Sequence, residues 1–225
     1  MADKTIFQSA HKGDFNLVSK KLEEDPSLLT QKDLDQRLLL HWACVGGSLK
    51  LVTHLIELGS PIDPHDDTET TPLILASSAG HTQIVCLLID KGATLDKQSS
   101  NGHSALQYAA SKGWVPICIK LLESGANINI TDKRGSTPLH RAASKGNSEI
   151  VQLFMEHIDD LKINHRDIYG NSALHLACEE DRQEEALMLV RNGADLTLMN
   201  KERESPLDLC SPKLMKLLKA TSHSR

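Results

Sequence analysis

Two apolar figures alternate along the chain. In the first, a leucine heads a short stretch that ends in a small residue, as in Leu73-Ile74-Leu75-Ala76, Leu106-Gln107-Tyr108-Ala109, Leu139-His140-Arg141-Ala142 and Leu174-His175-Leu176-Ala177. In the second, apolar residues fall at i, i+1, i+4 and i+5, as in Leu51, Val52, Leu55 and Ile56, then Ile84, Val85, Leu88 and Ile89, then Ile117, Cys118, Leu121 and Leu122. The second spacing puts its apolar residues on one side of a helix, and together the two figures predict paired short helices. The pairs return at a fixed interval: Ile6, Leu40, Leu73, Leu106, Leu139, Leu174 and Leu207 are separated by 34, 33, 33, 33, 35 and 33 residues. Ahead of the repeated leucine stands Thr71-Pro72, Ser104-Ala105, Thr137-Pro138, Ser172-Ala173 or Ser205-Pro206. The hydroxyl can cap a helix start, and proline is tolerated at the first helical position, whose N–H has no intrahelical partner. Gly47, Gly80, Gly113 and Gly146 suit a left-handed turn between two antiparallel helices, and Gly59, Gly92, Gly125 and Gly193 close the pair. One such pair leaves its apolar face bare, whereas a stack of them covers it.

The pattern resembles the ankyrin-repeat family from about residue 5 to residue 219. The resemblance implies an all-α repeat protein: an ankyrin-repeat solenoid of seven helix-turn-helix units with short β-hairpin fingers. The units fall at about 1–32, 33–65, 66–98, 99–131, 132–166, 167–199 and 200–220, one domain over 1–220, followed by a polar tail at 221–225. Lys20, Lys21, Glu23 and Glu24 mark the first unit as a solvated cap. Three departures stand out. Leu38-Leu39-Leu40 lacks the Thr-Pro start, so packing is expected to secure that helix. Asp181 replaces the inter-helix glycine, with Glu185 in an apolar slot. Two extra residues near Ile158-Asp159-Asp160-Leu161 predict a local bulge.

Composition narrows the function. The net charge is −5, which argues against a generic nucleic-acid binder, because phosphate neutralisation needs clustered Lys and Arg. No apolar run approaches the roughly 18–20 residues of a membrane span, and the first residues carry no apolar signal-peptide core. Five cysteines fit a reduced compartment better than a disulfide framework. The expectation is a soluble monomer that binds neither nucleic acid nor membrane and needs no cofactor.

No catalytic constellation emerges, so the chain reads as no enzyme. His41 with Cys44 and His175 with Cys178 have the spacing of metal half-sites, yet both pairs sit at equivalent repeat positions and no metal site is expected. Leu176, Cys178 and Glu180 spell L-x-C-x-E, a short motif by which some proteins engage the retinoblastoma pocket. On the first helix of a unit, Leu176 and Cys178 are expected to pack inward. The partner-binding candidates are the charged and aromatic residues at the tips and on the exposed positions of the first helices, expected to line one concave side. They are Asp35, Arg37, Trp42, Asp66, Asp67 and Glu69; Tyr108, Lys112, Lys133, Arg134 and Lys145; Tyr169, Glu179 and Glu180. Their order is acidic, then basic, then acidic.

Several phrases are closer to one family. Leu40-His41-Trp42-Ala43-Cys44, Tyr108-Ala109-Ala110-Ser111-Lys112, His140-Arg141-Ala142-Ala143-Ser144-Lys145-Gly146-Asn147 and Leu174-His175-Leu176-Ala177-Cys178-Glu179-Glu180 resemble the gankyrin family. That resemblance implies a non-catalytic assembly chaperone of the 26S proteasome regulatory particle, which clasps the C-terminal domain of a base ATPase subunit through a concave charged face. Asp35, Asp66, Asp67, Arg37, Lys112, Lys145, Glu179 and Glu180 match charged positions of the family. It also implies a cytoplasmic and nuclear protein. As further partners it suggests the retinoblastoma protein, a cyclin-dependent kinase and a ubiquitin ligase, leaving a cell-cycle regulator as the alternative.

Overall fold

The repeated leucines become the heads of short inner helices, and the i, i+1, i+4, i+5 stretches become their antiparallel partners. The computed structural model describes residues 4–222. Among them the helices come in seven pairs: α1 (Lys4–Lys12) with α2 (Phe15–Glu24), α3 (Leu39–Gly46) with α4 (Leu49–Glu57), α5 (Pro72–Ala79) with α6 (Thr82–Asp90), α7 (Ala105–Lys112) with α8 (Val115–Glu123), α9 (Pro138–Lys145) with α10 (Ser148–Met155), α11 (Ala173–Glu179) with α12 (Gln183–Arg191), and α13 (Pro206–Leu209) with α14 (Pro212–Ser222). A 3₁₀ turn, Pro26–Leu29, follows α2. None of the described helices is long and apolar enough to cross a membrane.

The helix ends follow the chemistry of the caps. Thr71, Thr137 and Ser172 accept the N–H of the third residue onward through their side-chain oxygens. At α3, where packing alone was expected, the Leu38 N–H donates to His41 Nδ1 at 3.0 Å. The inner helices end in the left-handed region at Gly47, Gly80, Gly113 and Gly146, and Asp181 occupies the same slot at φ 51°. That residue accepts the Ser211 hydroxyl at 2.8 Å, which ties the irregular turn to the last repeat.

The chain gathers into two compact units, Met1–Ala105 and Leu106–Arg225. In the N-terminal unit α1 packs on α3, α3 on α5, and α4 on α6. In the C-terminal unit α9 packs on α11 and α11 on α13, while α8, α10, α12 and α14 pack in series. Within each unit these helices meet a neighbouring repeat, and α1 with α2, α3 with α4, α5 with α6, α9 with α10 and α11 with α12 also pack as pairs, the nearest-neighbour arrangement that lets repeats stabilise one another. Leu51, Val52 and Leu55, Ile84, Val85 and Leu88, and Ile117, Cys118 and Leu121 are buried, each leucine burial contributing about 1.5–3 kcal/mol. The fourth apolar position, Ile56, Ile89 and Leu122, is half-buried. Glu185 is buried in its apolar slot and accepts a hydrogen bond from Ser148. The two extra residues of the fifth repeat are absorbed by successive turns, with Leu161 buried and Asn129 bonded to the Asp160 carbonyl and the Lys162 N–H.

Two expectations are corrected. The fingers are not paired strands: among the described residues there is one isolated bridge, Gln98 with Ser104. Each tip is instead a tight loop closed by bonds such as Asp132 N–H to Ser136 O and Gly135 N–H to Asp132 O. The first residue of most tips takes further N–H groups on its side chain, leaving too few donors for a ladder. The polar tail is the other. Thr221 and Ser222 belong to α14, bonding the Leu217 and Lys219 carbonyls, while 223–225 lie outside the described residues, as do 1–3.

Candidate functional site

The tips of the repeats place most of the candidate residues, and one position recurs in nearly all of them. Asp33, Asp66, Asp132, Asp167 and Asn200 each accept, through Oδ1, the N–H groups two and four residues ahead. Successive tips are joined by backbone bonds: Asp67 N–H to Asp35 O in the N-terminal unit, and Ile168 N–H to Arg134 O and Lys201 N–H to Tyr169 O in the C-terminal unit.

In the N-terminal unit these loops divide the expected residues into two groups. Asp66 is not on the surface: its side chain is fully buried. Its Oδ2 accepts Arg37 Nε and Nη2, both at 2.9 Å, and Oδ1 also accepts the Thr68 hydroxyl. Burial alone would raise its carboxyl, but the Thr68, Thr70 and Arg37 hydrogen bonds outweigh it and hold the group below the usual carboxylate range. Trp42 is half-buried, donates Nε1–H to Asp33 Oδ2 at 2.7 Å, and lies 5.1 Å beneath the Arg37 guanidinium. Arg37 and Trp42 are thus spent on the repeat itself. Asp35, Asp67 and Glu69 remain exposed and form the accessible acidic edge of this unit.

In the C-terminal unit Lys112 and Lys145 are exposed at equivalent repeat positions, and Lys133, Arg134, Glu179 and Glu180 are exposed as well. Tyr108 is half-buried. Tyr169 stands out from its tip and, with Glu179, Glu202, Glu204 and Leu209, borders a shallow cleft of about 130 Å³. Arg141, equivalent to Trp42, pairs with the buried carboxylate of Asp132 just as Trp42 bonds Asp33. Leu176 fills the same slot and is half-buried, not packed inward as expected. Cys178 is 1% exposed, so the L-x-C-x-E side chains are not presented together. His175 bonds the Ser172 N–H and the Glu204 carbonyl, a role in joining repeats. Among the described residues no group of three or more His, Cys, Asp or Glu is placed to hold a metal ion.

Arg166 and Met199 escape the sequence reading. They flank the tips, where the repeat offers no marker, and the Arg166 Nη2 bonds the Met199 carbonyl at 2.7 Å.

The family model described as ankyrin repeats (3 copies) matches residues 6–99, 40–132 and 106–200. A stretch of 67 residues is 40% identical to 26S proteasome non-ATPase regulatory subunit 10 of Mus musculus, covering 30% of this chain and 29% of that protein. A stretch of 74 residues is 39% identical to serine/threonine-protein kinase VIK of Arabidopsis thaliana, covering 33% of this chain and 17% of the kinase. The match thus spans less than a third of either relative. The crystal structure of the human ASB11 ankyrin repeat domain superposes with a TM-score of 0.87 at 23% identity, covering 96% of each chain, which shows a shared fold. Matched by the repeat pattern over residues 6–200 and by architecture over nearly its whole length, the chain belongs to the ankyrin-repeat family.

Proposed function

We propose that this chain is a non-catalytic protein-binding scaffold of the gankyrin type. It acts as an assembly chaperone of the 26S proteasome regulatory particle, in the cytoplasm and nucleus, by holding the C-terminal domain of one base ATPase subunit. The observation that carries the reading is the 40% identity to a protein named as a 26S proteasome non-ATPase regulatory subunit. Exposed charge supports it: Asp35, Asp67 and Glu69 in one unit, and Lys112 and Lys145 in the other, are solvated side chains that do not hold the repeats together. Single exposed ion pairs contribute about 0.2–1 kcal/mol, so a stable complex draws on several of them at once. The cell-cycle alternative has less support, because Cys178 of the L-x-C-x-E stretch is buried.

The test is capture of a recombinant base-ATPase C-terminal domain by the full chain. Lys112→Glu with Lys145→Glu is expected to weaken capture at least tenfold, roughly the effect of losing two charge pairs, with the circular dichroism unchanged. Undiminished capture by the double variant removes those lysines from the interface. No capture by the wild-type chain rejects the ATPase partner.

A further inference from the structure

Three consecutive tips of the C-terminal unit carry a surface with its own chemistry. They are the loops that begin at Asp132, Asp167 and Asn200, bonded to one another through Ile168 N–H to Arg134 O and Lys201 N–H to Tyr169 O, each at 2.9 Å. Arg166 spans the second and third, with Nε on the Gly170 carbonyl at 3.0 Å and Nη2 on the Met199 carbonyl at 2.7 Å. These bonds hold neighbouring tips side by side, so their outward side chains form one continuous strip.

Two kinds of side chain occupy that strip. Lys133, Arg134, Arg166, Lys201 and Arg203 are all exposed. Among the described residues none of these five makes an ion pair; Arg166 spends its donors on carbonyl oxygens, which leaves its charge uncompensated. Between the cations stand three large apolar side chains with about half their surface in water: Ile168 at 47%, Tyr169 at 53% and Met199 at 50%. Among the carboxylates nearby, Asp132 is paired with Arg141, while Asp167 and Glu204 keep their charge but turn to N–H donors of their own tips, the Tyr169 and Asn171 N–H groups and Asn200 Nδ2. Glu202 and, across the cleft beside Tyr169, Glu179 remain exposed.

We infer that this strip is a docking surface for an acidic polypeptide segment whose carboxylates alternate with apolar side chains. The surface meets the segment in both respects: five exposed cations without an ion-pair partner attract and orient it, and Ile168, Tyr169 and Met199 supply the contact that exposed charges alone do not. A nucleic acid would answer the cations equally, but it has no use for Ile168 and Met199, and Tyr169 alone among the three can stack on a base. The inference rests on the reading of the chain as a protein-binding scaffold and not on which protein it holds.

The experiment is fluorescence anisotropy with the full chain and three labelled probes. The first is an acidic peptide of Asp and Glu interspersed with Leu and Phe. The second is a peptide of equal charge with Ser and Gly in place of Leu and Phe. The third is a single-stranded oligonucleotide of similar length. The first probe is expected to bind saturably, roughly tenfold tighter than the second, and to weaken as salt is raised. Arg134→Glu with Lys201→Glu should lower its affinity at least about tenfold. Ile168→Ser with Met199→Ser should abolish its advantage over the second probe while leaving the salt dependence. Because all four side chains are exposed, urea midpoints should stay put; Arg134→Gln with Lys201→Gln reads the same contact without adding negative charge. Equal binding of the two peptides, tighter binding of the oligonucleotide, or full binding by both charge variants would each overturn the inference. Peptide binding without ATPase-domain capture counts against the partner proposed above and leaves this surface standing; capture without peptide binding does the reverse.

Discussion

His140 Nε2 lies 3.1 Å from the carbonyl oxygen of Asn171, one repeat further along the chain. The other ring nitrogen, Nδ1, accepts the Thr137 N–H at 3.2 Å, so the proton must sit on Nε2 and the imidazole is neutral. His175 makes the same two bonds, to the Ser172 N–H and the Glu204 carbonyl. In the fourth repeat the slot holds Gln107, whose Nε2 donates to the Ser136 carbonyl at 2.7 Å. The third repeat fills the same slot with the apolar Ile74, so the bond to the next repeat belongs to the repeats that carry His140, His175 and Gln107 and is not a demand of the position.

A pH dependence follows. Burial lowers His41 and His140 from an ordinary value of 6.5 to about 4, and lowers His175 as well. Well above pH 6.5 neither the folded nor the unfolded chain protonates these rings, so their contribution to the pH dependence fades there. Between 6.5 and 4 the unfolded chain takes up protons that the folded chain refuses, and stability falls as pH falls. At pH 5 the loss is about 2 kcal/mol each for His41 and His140. Urea midpoints measured from pH 7 to pH 4.5 should decline over this window. His140→Gln, which copies the fourth repeat's Gln107, should keep stability at pH 7 within about 1 kcal/mol and flatten its share of the slope. An unchanged slope in that variant would place the titration elsewhere.

The tips yield a second prediction. Gln36, Glu69 and Arg203 sit at φ 61°, 58° and 65°, in the loop position where Gly102, Gly135 and Gly170 adopt 81°, 74° and 83°. A side chain in this region costs about 1 kcal/mol or more, partly offset by the greater freedom glycine gives the unfolded chain. Gln36→Gly should therefore raise the unfolding free energy by about 0.5 kcal/mol. Gly135→Ala should lower it by about 1–2 kcal/mol, since its Cβ would also meet the Ile168 nitrogen at 3.2 Å. Equal effects of the two substitutions, read from urea midpoints, would mean the loop geometry is not what separates them.

These tips also mark where the sequence stops being legible. The helix pairs could be read because their signals are local and repeated: Thr137-Pro138 caps a helix by its own hydroxyl, and Gly146 turns the chain by its own φ. Asp66 and Asp67 are neighbours of identical chemistry, yet one is buried beneath Arg37 and the other stands in solvent. The difference lies in their place in the loop, and a marker existed: Asp33, Asp66, Asp132, Asp167 and Asn200 recur in register as turn-forming residues. Trp42 and Arg37 gave no such marker. Their engagement depends on partners nine and twenty-nine residues away, which only the folded repeat brings within reach.

Cys178 allows the structural and the motif readings of Leu176-Ala177-Cys178-Glu179-Glu180 to be separated. Its slot is filled by Cys44, Ser77, Ala110 and Ala143 in other repeats, and all of these are buried. A small side chain suffices there, so Cys178→Ala should cost less than about 1 kcal/mol, whereas Cys178→Leu should overpack the slot and cost about 1–3 kcal/mol or more. Presenting Leu176 and Cys178 as an extended peptide requires α11 to unwind and leave α9 and α13. If that opening costs about 3 kcal/mol, the competent form falls below about one per cent of the population and apparent affinity drops more than a hundredfold. A synthetic peptide spanning 172–182 should thus compete for the retinoblastoma pocket in a polarisation assay at concentrations where the folded chain does not. Equal competition by peptide and chain, lost in Cys178→Ala without a change in its unfolding midpoint, would show that α11 opens readily and that the motif is used.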